Sequence, residues 1–168
     1  RAFVHSLRAV SDLVLVGGAT ALADDPELTV RDAPGRSPRR AVLWPRAGLP
    51  GHLKLFQAPG CLAIGCGPRP QSLPATAQWL EVPSDGTHPS LAALLDALGA
   101  QGFHDLLVEP GPTLAKAFLD TGTWDRFWLI RSPTSLGGGA AFDLAGMPGE
   151  VRSTLALGGD RAELHLRS

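Results

Sequence analysis

Leu13-Val14-Leu15-Val16 places four apolar residues in a row between Ser11-Asp12 and the pair Gly17-Gly18. A strand with one wet face alternates apolar and polar residues, whereas a short run that is apolar throughout has both faces covered. Such a strand needs a layer on each side and parallel neighbours reached by crossovers. Similar short runs follow at Arg40–Trp44 (RAVLW), Cys61–Ile64, Trp79–Val82 and Asp105–Glu109, with Pro- and Gly-rich loops such as 33–38 and 65–74 between them.

Helical segments alternate with these strands. In residues 1–10, Phe3, Val4, Leu7 and Val10 have the spacing of one helical face, which turns His5 and Arg8 away from the core. Leu91, Leu94, Leu95 and Leu98 mark an amphipathic helix between Pro89 and Gly99. Gly111-Pro112-Thr113 opens another, running to about Thr121, with proline where a helix has no use for its N–H. Phe127–Arg131 reads as a strand ending in the loop SPTSLGGGAA, and Arg152–Arg167 as one or two closing strands. The expected class is α/β with a mostly parallel central sheet flanked by helices, in one domain over residues 1–168.

Composition narrows the function. With a net charge of −1 and no basic stripe, the chain lacks the clustered cations of a nucleic-acid surface. No apolar run is long enough for a membrane span, and no secretory signal is visible, so the cytoplasm is the expected location. Cys61 and Cys66 lack the second pair of a zinc site and read as reduced core residues. His5, His52, His88, His104 and His165 show no metal-binding spacing, so no metal is expected. Arg1 stands inside a helical pattern without a methionine before it, which reads as the tail of a longer chain.

Two strand ends carry chemistry, and in an open α/β sheet ligands bind beyond such ends. After Leu13–Val16 come Thr20 and Asp24, four apart and so on one side of a helical turn, then Asp25-Pro26 and Arg31. Asp24 suits a ribose hydroxyl or an amide, and Arg31 suits a phosphate. The same residues also fit an Asp-Pro turn beside a solvated arginine. After Asp105–Val108 come Glu109 and a helix start whose free N–H groups and Thr113 hydroxyl suit a phosphate. A capped helix with Glu109 at its positive end fits equally well. Gly137–Gly139 fit a close approach to a cofactor or, more simply, a turn.

Together the segments R-x3-H-x2-R-A-x-S-D, V-G-x-A-T-x3-D-D-P-x-L-T-V-R and L-L-V-E-x-G-P-T-L, followed by G-x2-D, resemble the reductase domain of riboflavin biosynthesis. That domain usually forms the C-terminal half of a bifunctional deaminase/reductase with a dihydrofolate-reductase-like fold. The resemblance implies NADPH-dependent reduction of 5-amino-6-(5-phosphoribosylamino)uracil to its ribitylamino product. It assigns Thr20, Asp24, Gly111, Pro112, Thr113, Leu114, Ala115, Lys116 and Ala117 to the cofactor. It assigns Arg8, Leu28, Arg31 and Glu109 to the substrate, with the two arginines on its phosphate. It assigns no proton donor and no metal, and it implies a homodimer and a zinc deaminase domain upstream. The family's first strand, with S-L-D-G, and its K-W-I-T-G loop are missing, so the domain reads as N-terminally truncated. Trp44-Pro45 stands where the family often has Asp-Ser, and Trp124-Asp125-Arg126 where it has V-D-E. Two alternatives remain at this point. One is the same fold acting on a phosphate-free pterin or pyrimidine, which has no need of Arg8 and Arg31. The other is a catalytically incomplete nucleotide-binding or assembly module.

Overall fold

The computed structural model of this chain describes residues 1–86, 88–135, 137 and 149–167. They fall into two compact units, Arg1–Gly111 and Pro112–Ser168.

The first unit contains α1 (Ala2–Val10), β1 (Leu13–Gly17), α2 (Gly18–Asp24), β2 (Arg39–Leu43), β3 (Leu62–Gly65), β4 (Gln78–Glu81), α3 (Leu91–Ala100) and β5 (Leu106–Val108). The strands form a parallel sheet in the order β4-β3-β2-β1-β5. Leu13, Val14, Leu15 and Val16 are completely or almost completely buried, as expected of a run apolar at every position. The pleat sends alternate residues to opposite faces. Val14 and Val16 join Leu28, Val42, Leu55, Phe56 and Ala63 in one core cluster. A loop with a short 3-10 turn (Lys54–Phe56), not a helix, connects β2 to β3 on this face.

Four details differ from the sequence reading. The buried residues of α1 are His5 and Arg8; Phe3, Val4 and Leu7 are half-buried, and Val10 is exposed. Polar partners explain the reversal, because both buried side chains are hydrogen-bonded to a neighbouring loop. The second helix begins at Gly18, two residues before Thr20. There an added Cβ would lie 2.7 Å from Cδ of Pro45, so the helix start needs glycine. β5 is half-buried because it is an edge strand paired only with β1. Cys61 is in the core, where burial pushes its thiol up to about 12. Cys66, beyond the end of β3, is exposed.

The second unit contains α4 (Pro112–Asp120), β6 (Arg126–Arg131), β7 (Glu150–Leu157) and β8 (Asp160–Leu166), with the strands antiparallel in the order β6-β8-β7. Gly158-Gly159 turns the chain between β7 and β8, and Gly158 takes a φ of +70° that favours glycine. β7 is exposed over most of its length. Of the glycines Gly137–Gly139, the last two lie outside the described residues. No helix among the described residues is long and apolar enough to cross a membrane.

Candidate active site

From β1 the chain builds outward through β2, β3 and β4, then returns across the sheet to place β5 on the other side of β1. The gap between β1 and β5 is therefore the topological switch point, where the strand ends leave a crevice. The two loaded strand ends are the two that flank it. The Glu109 N–H donates to the Leu15 carbonyl at 2.9 Å, which carries the β5 extension alongside β1.

Thr20 and Asp24 lie one turn apart on α2. An added Cβ on Gly111 would lie 2.9 Å from Oγ1 of Thr20, so the segment leaving β5 passes α2 too closely for any side chain. Asp24 is exposed, with no hydrogen bond or ion pair among the described residues. Asp25 takes the structural role expected of an Asp-Pro turn. It caps α2 in the left-handed conformation and accepts the Lys54 N–H at 2.7 Å.

The loop after Pro26 passes through Leu28, whose φ of +57° is a strained value for a branched residue. Leu28 is only 1% exposed within the core cluster, and that burial offsets the strain. Its side chain anchors the loop in the core. Just beyond it Thr29 is half-buried and Arg31 is exposed. The exposed Arg31 side chain forms an ion pair with Glu27.

Arg8 reaches this loop from α1. Its guanidinium forks onto Glu109, with Nε to Oε1 at 2.6 Å and Nη2 to Oε2 at 2.7 Å. Nη1 donates to the Thr29 carbonyl at 2.9 Å. Arg8 and Glu109, separated by most of the first unit in sequence, thus form one partly buried, charge-assisted pair. Arg8 and Arg31 do not share an anion here; each already has a carboxylate partner.

His5 is a further functional candidate. It is 5% exposed, and its Nδ1 accepts the Arg31 N–H at 2.9 Å and the Asp32 N–H at 3.3 Å. The signal for it in the sequence was the His5-x2-Arg8 spacing, which places both residues on one helical face.

Gly111 closes the first unit, and Pro112 opens α4 in the second. On α4, Thr113 and Lys116 are exposed, Ala115 is buried, and Pro112, Leu114 and Ala117 are half-buried. Lys116 pairs with Asp120 one turn later at 2.6 Å. Among the described residues no group of three or more His, Cys, Asp and Glu side chains comes together to hold a metal.

Comparison with known proteins adds a family to this geometry. The family model for the RibD C-terminal domain matches residues 1–160. A 2,5-diamino-6-ribosylamino-4(3H)-pyrimidinone 5′-phosphate reductase of Methanothermobacter thermautotrophicus is 34% identical over 141 residues, covering 80% of this chain and 65% of the relative. The riboflavin biosynthesis protein RibD of Escherichia coli is 33% identical over 160 residues, 87% of this chain and 43% of the relative. The solved structure of Acinetobacter baumannii RibD superposes with a TM-score of 0.84 at 29% identity, over 100% of this chain and 50% of that one. This chain spans less than two thirds of each of them. The dihydrofolate-reductase-like fold expected from the sequence is the one it shares with the Acinetobacter protein. With the switch-point motifs in place and the family model matched from Arg1 to Asp160, the chain belongs to the RibD C-terminal domain family.

Proposed function

We propose that this chain is the NADPH-dependent reductase of riboflavin biosynthesis, acting on a phosphorylated ribosylaminopyrimidine. The observation that carries the reading is convergence at one switch point. Arg8, the 26–31 loop, Thr20, Glu109 and Gly111 come from three stretches of sequence and meet within the first unit.

The residues fit a dinucleotide cofactor. Gly111 lets the backbone leaving β5 run directly against Thr20, and Asp24 offers an exposed carboxylate to hydroxyl or amide donors. In the second unit, taken by itself, the family resemblance assigns Pro112, Thr113, Leu114, Ala115, Lys116 and Ala117 to the cofactor, and the N–H groups at the start of α4 suit a phosphate. When bound, NADPH supplies the hydride. The chain binds and orients. Glu109, with its carboxylate fixed by the Arg8 fork, accepts hydrogen bonds from substrate donors. Arg31 turns from Glu27 to the substrate phosphate, a better bidentate acceptor. Leu28 holds the loop that carries it.

The preferred substrate is 5-amino-6-(5-phosphoribosylamino)uracil. The reductase activity for which the Methanothermobacter relative is named favours a second candidate, the 2,5-diaminopyrimidinone phosphate. The reading also carries a homodimer, a zinc deaminase domain upstream in the same polypeptide, and a cytoplasmic setting. Steady-state NADPH consumption by the intact natural protein with each compound tests it. Turnover of the uracil at least tenfold above the diamino compound is expected. Consumption with neither compound would end the reductase reading.

A further inference from the structure

His5 is buried, lies in one of the motifs that define the family match, and has no part in the chemistry described above. We propose that His5 is a positioning residue that holds the Arg31 loop in its phosphate-binding conformation by accepting two main-chain N–H bonds. The proposal rests on the reductase reading and adds a specific role to it.

Three observations carry it. First, Nδ1 faces two donors, the N–H groups of Arg31 and Asp32 at 2.9 and 3.3 Å, so it must present its lone pair. The ring proton of the neutral imidazole then sits on Nε2, 3.6 Å from the Asp32 carboxylate. Second, Arg8, on the same face of α1, holds the Thr29 carbonyl. The loop is therefore pinned from one helix at two points that bracket Val30, directly before the Arg31 side chain. Third, that side chain is exposed and, among the described residues, bonded only to Glu27, four residues earlier in the same loop. His5 holds the main chain from which that side chain extends. No other residue of α1 holds the loop by a side-chain hydrogen bond among the described residues.

The test uses two amides of similar polarity. In His5→Asn the side-chain oxygen falls near the position of Nδ1, whereas in His5→Gln it falls near Nε2. Binding of ribose 5-phosphate to the intact protein, measured by calorimetry, should weaken about fivefold in H5Q, the equivalent of one lost hydrogen bond, and stay within about twofold of wild type in H5N. In kinetics H5Q should raise the pyrimidine KM, leaving the NADPH KM and kcat unchanged. Amide exchange in the unmutated protein should show Arg31 and Asp32 protected despite their exposed side chains. Equal binding by wild type and H5Q, equal losses in H5N and H5Q, or unprotected Arg31 and Asp32 amides would each overturn the proposal alone. A wild type that binds no ribose 5-phosphate and reduces neither pyrimidine would remove the reductase reading and this proposal with it.

Discussion

β1 and β7 are both strands, yet they obey opposite rules. β1 is five residues long, has neighbours on both sides and is buried along nearly its whole length. β7 is eight residues long, lies at the edge of its sheet, pairs among the described residues only with β8 and is mostly exposed. Burial on two faces lets a strand be short and uniformly apolar, and it leaves the strand's C-terminal end as the place for polar chemistry. An exposed antiparallel strand is held by its hairpin and cross-strand pairs and tolerates mixed composition. Stability should therefore be concentrated at β1, close to the candidate site, and be sparse at β7.

Truncating the two strands gives the largest contrast. Leu15, fully buried, should lose about 3 kcal/mol on replacement by Ala, through lost transfer energy and the cavity left behind. Leu155 of β7, 41% exposed, should lose less than about 0.5 kcal/mol on the same replacement. Urea unfolding measures both, and similar losses would break the comparison.

Polar groups at the switch point come next. Replacing Glu109 by Gln leaves the Arg8 guanidinium partly buried without its counter-charge and should cost about 2 kcal/mol in the same unfolding experiment. Arg31→Ala should raise the substrate KM roughly 10- to 100-fold by removing a charge-assisted contact, with little change in stability because the side chain is exposed. Asp24→Asn should weaken NADPH and leave ribose 5-phosphate affinity unchanged. Equal losses for both ligands in both variants would dissolve the division between cofactor and phosphate residues.

The smallest effect concerns acid. Backbone N–H bonds from His104 and Asp105, helped by the charge of Arg36, hold the Asp12 carboxylate below its usual value in the first unit. In the second unit burial pushes Glu163 up, but the hydrogen bond from Arg131 and the charges of Arg161 and Arg131 outweigh it and the net shift is downward. A carboxylate lowered in the folded state stabilises the fold above its unfolded value, and that stabilisation is lost as pH falls through the lowered native value. Asp12→Asn and Glu163→Gln should therefore each flatten the decline in stability below about pH 4. Added salt should shrink the Glu163 contribution, which depends on neighbouring charges, and leave that of Asp12, which depends on backbone donors. Equal salt sensitivity would contradict this difference.

Legibility in the sequence followed the same division. Short apolar-rich runs bounded by Pro- and Gly-rich loops mark β1, β2, β3 and β4 to within a residue or two. Periodicity misplaces the buried face of α1 because it counts apolar residues, and here burial is carried by a hydrogen bond that His5 accepts and one that Arg8 donates. Strand order is not written in any local pattern. The meeting of Glu109 with Arg8 follows from β5 lying beside β1, which no local pattern encodes, although the family resemblance assigns both residues to the substrate. The left-handed Leu28 had no local signal either, since branched residues avoid that conformation unless packing enforces it.

The claim that the β1 and β5 ends form one reductase site is tested most directly by isotope transfer. The intact protein, given NADPH deuterated on the transferred face of its nicotinamide and 5-amino-6-(5-phosphoribosylamino)uracil, should yield a ribitylamino product with one deuterium at C1′, read by mass spectrometry. Arg31→Ala should reduce the yield at low substrate and recover it at high substrate. A product without deuterium, or no product under conditions where both ligands bind, would contradict the assignment.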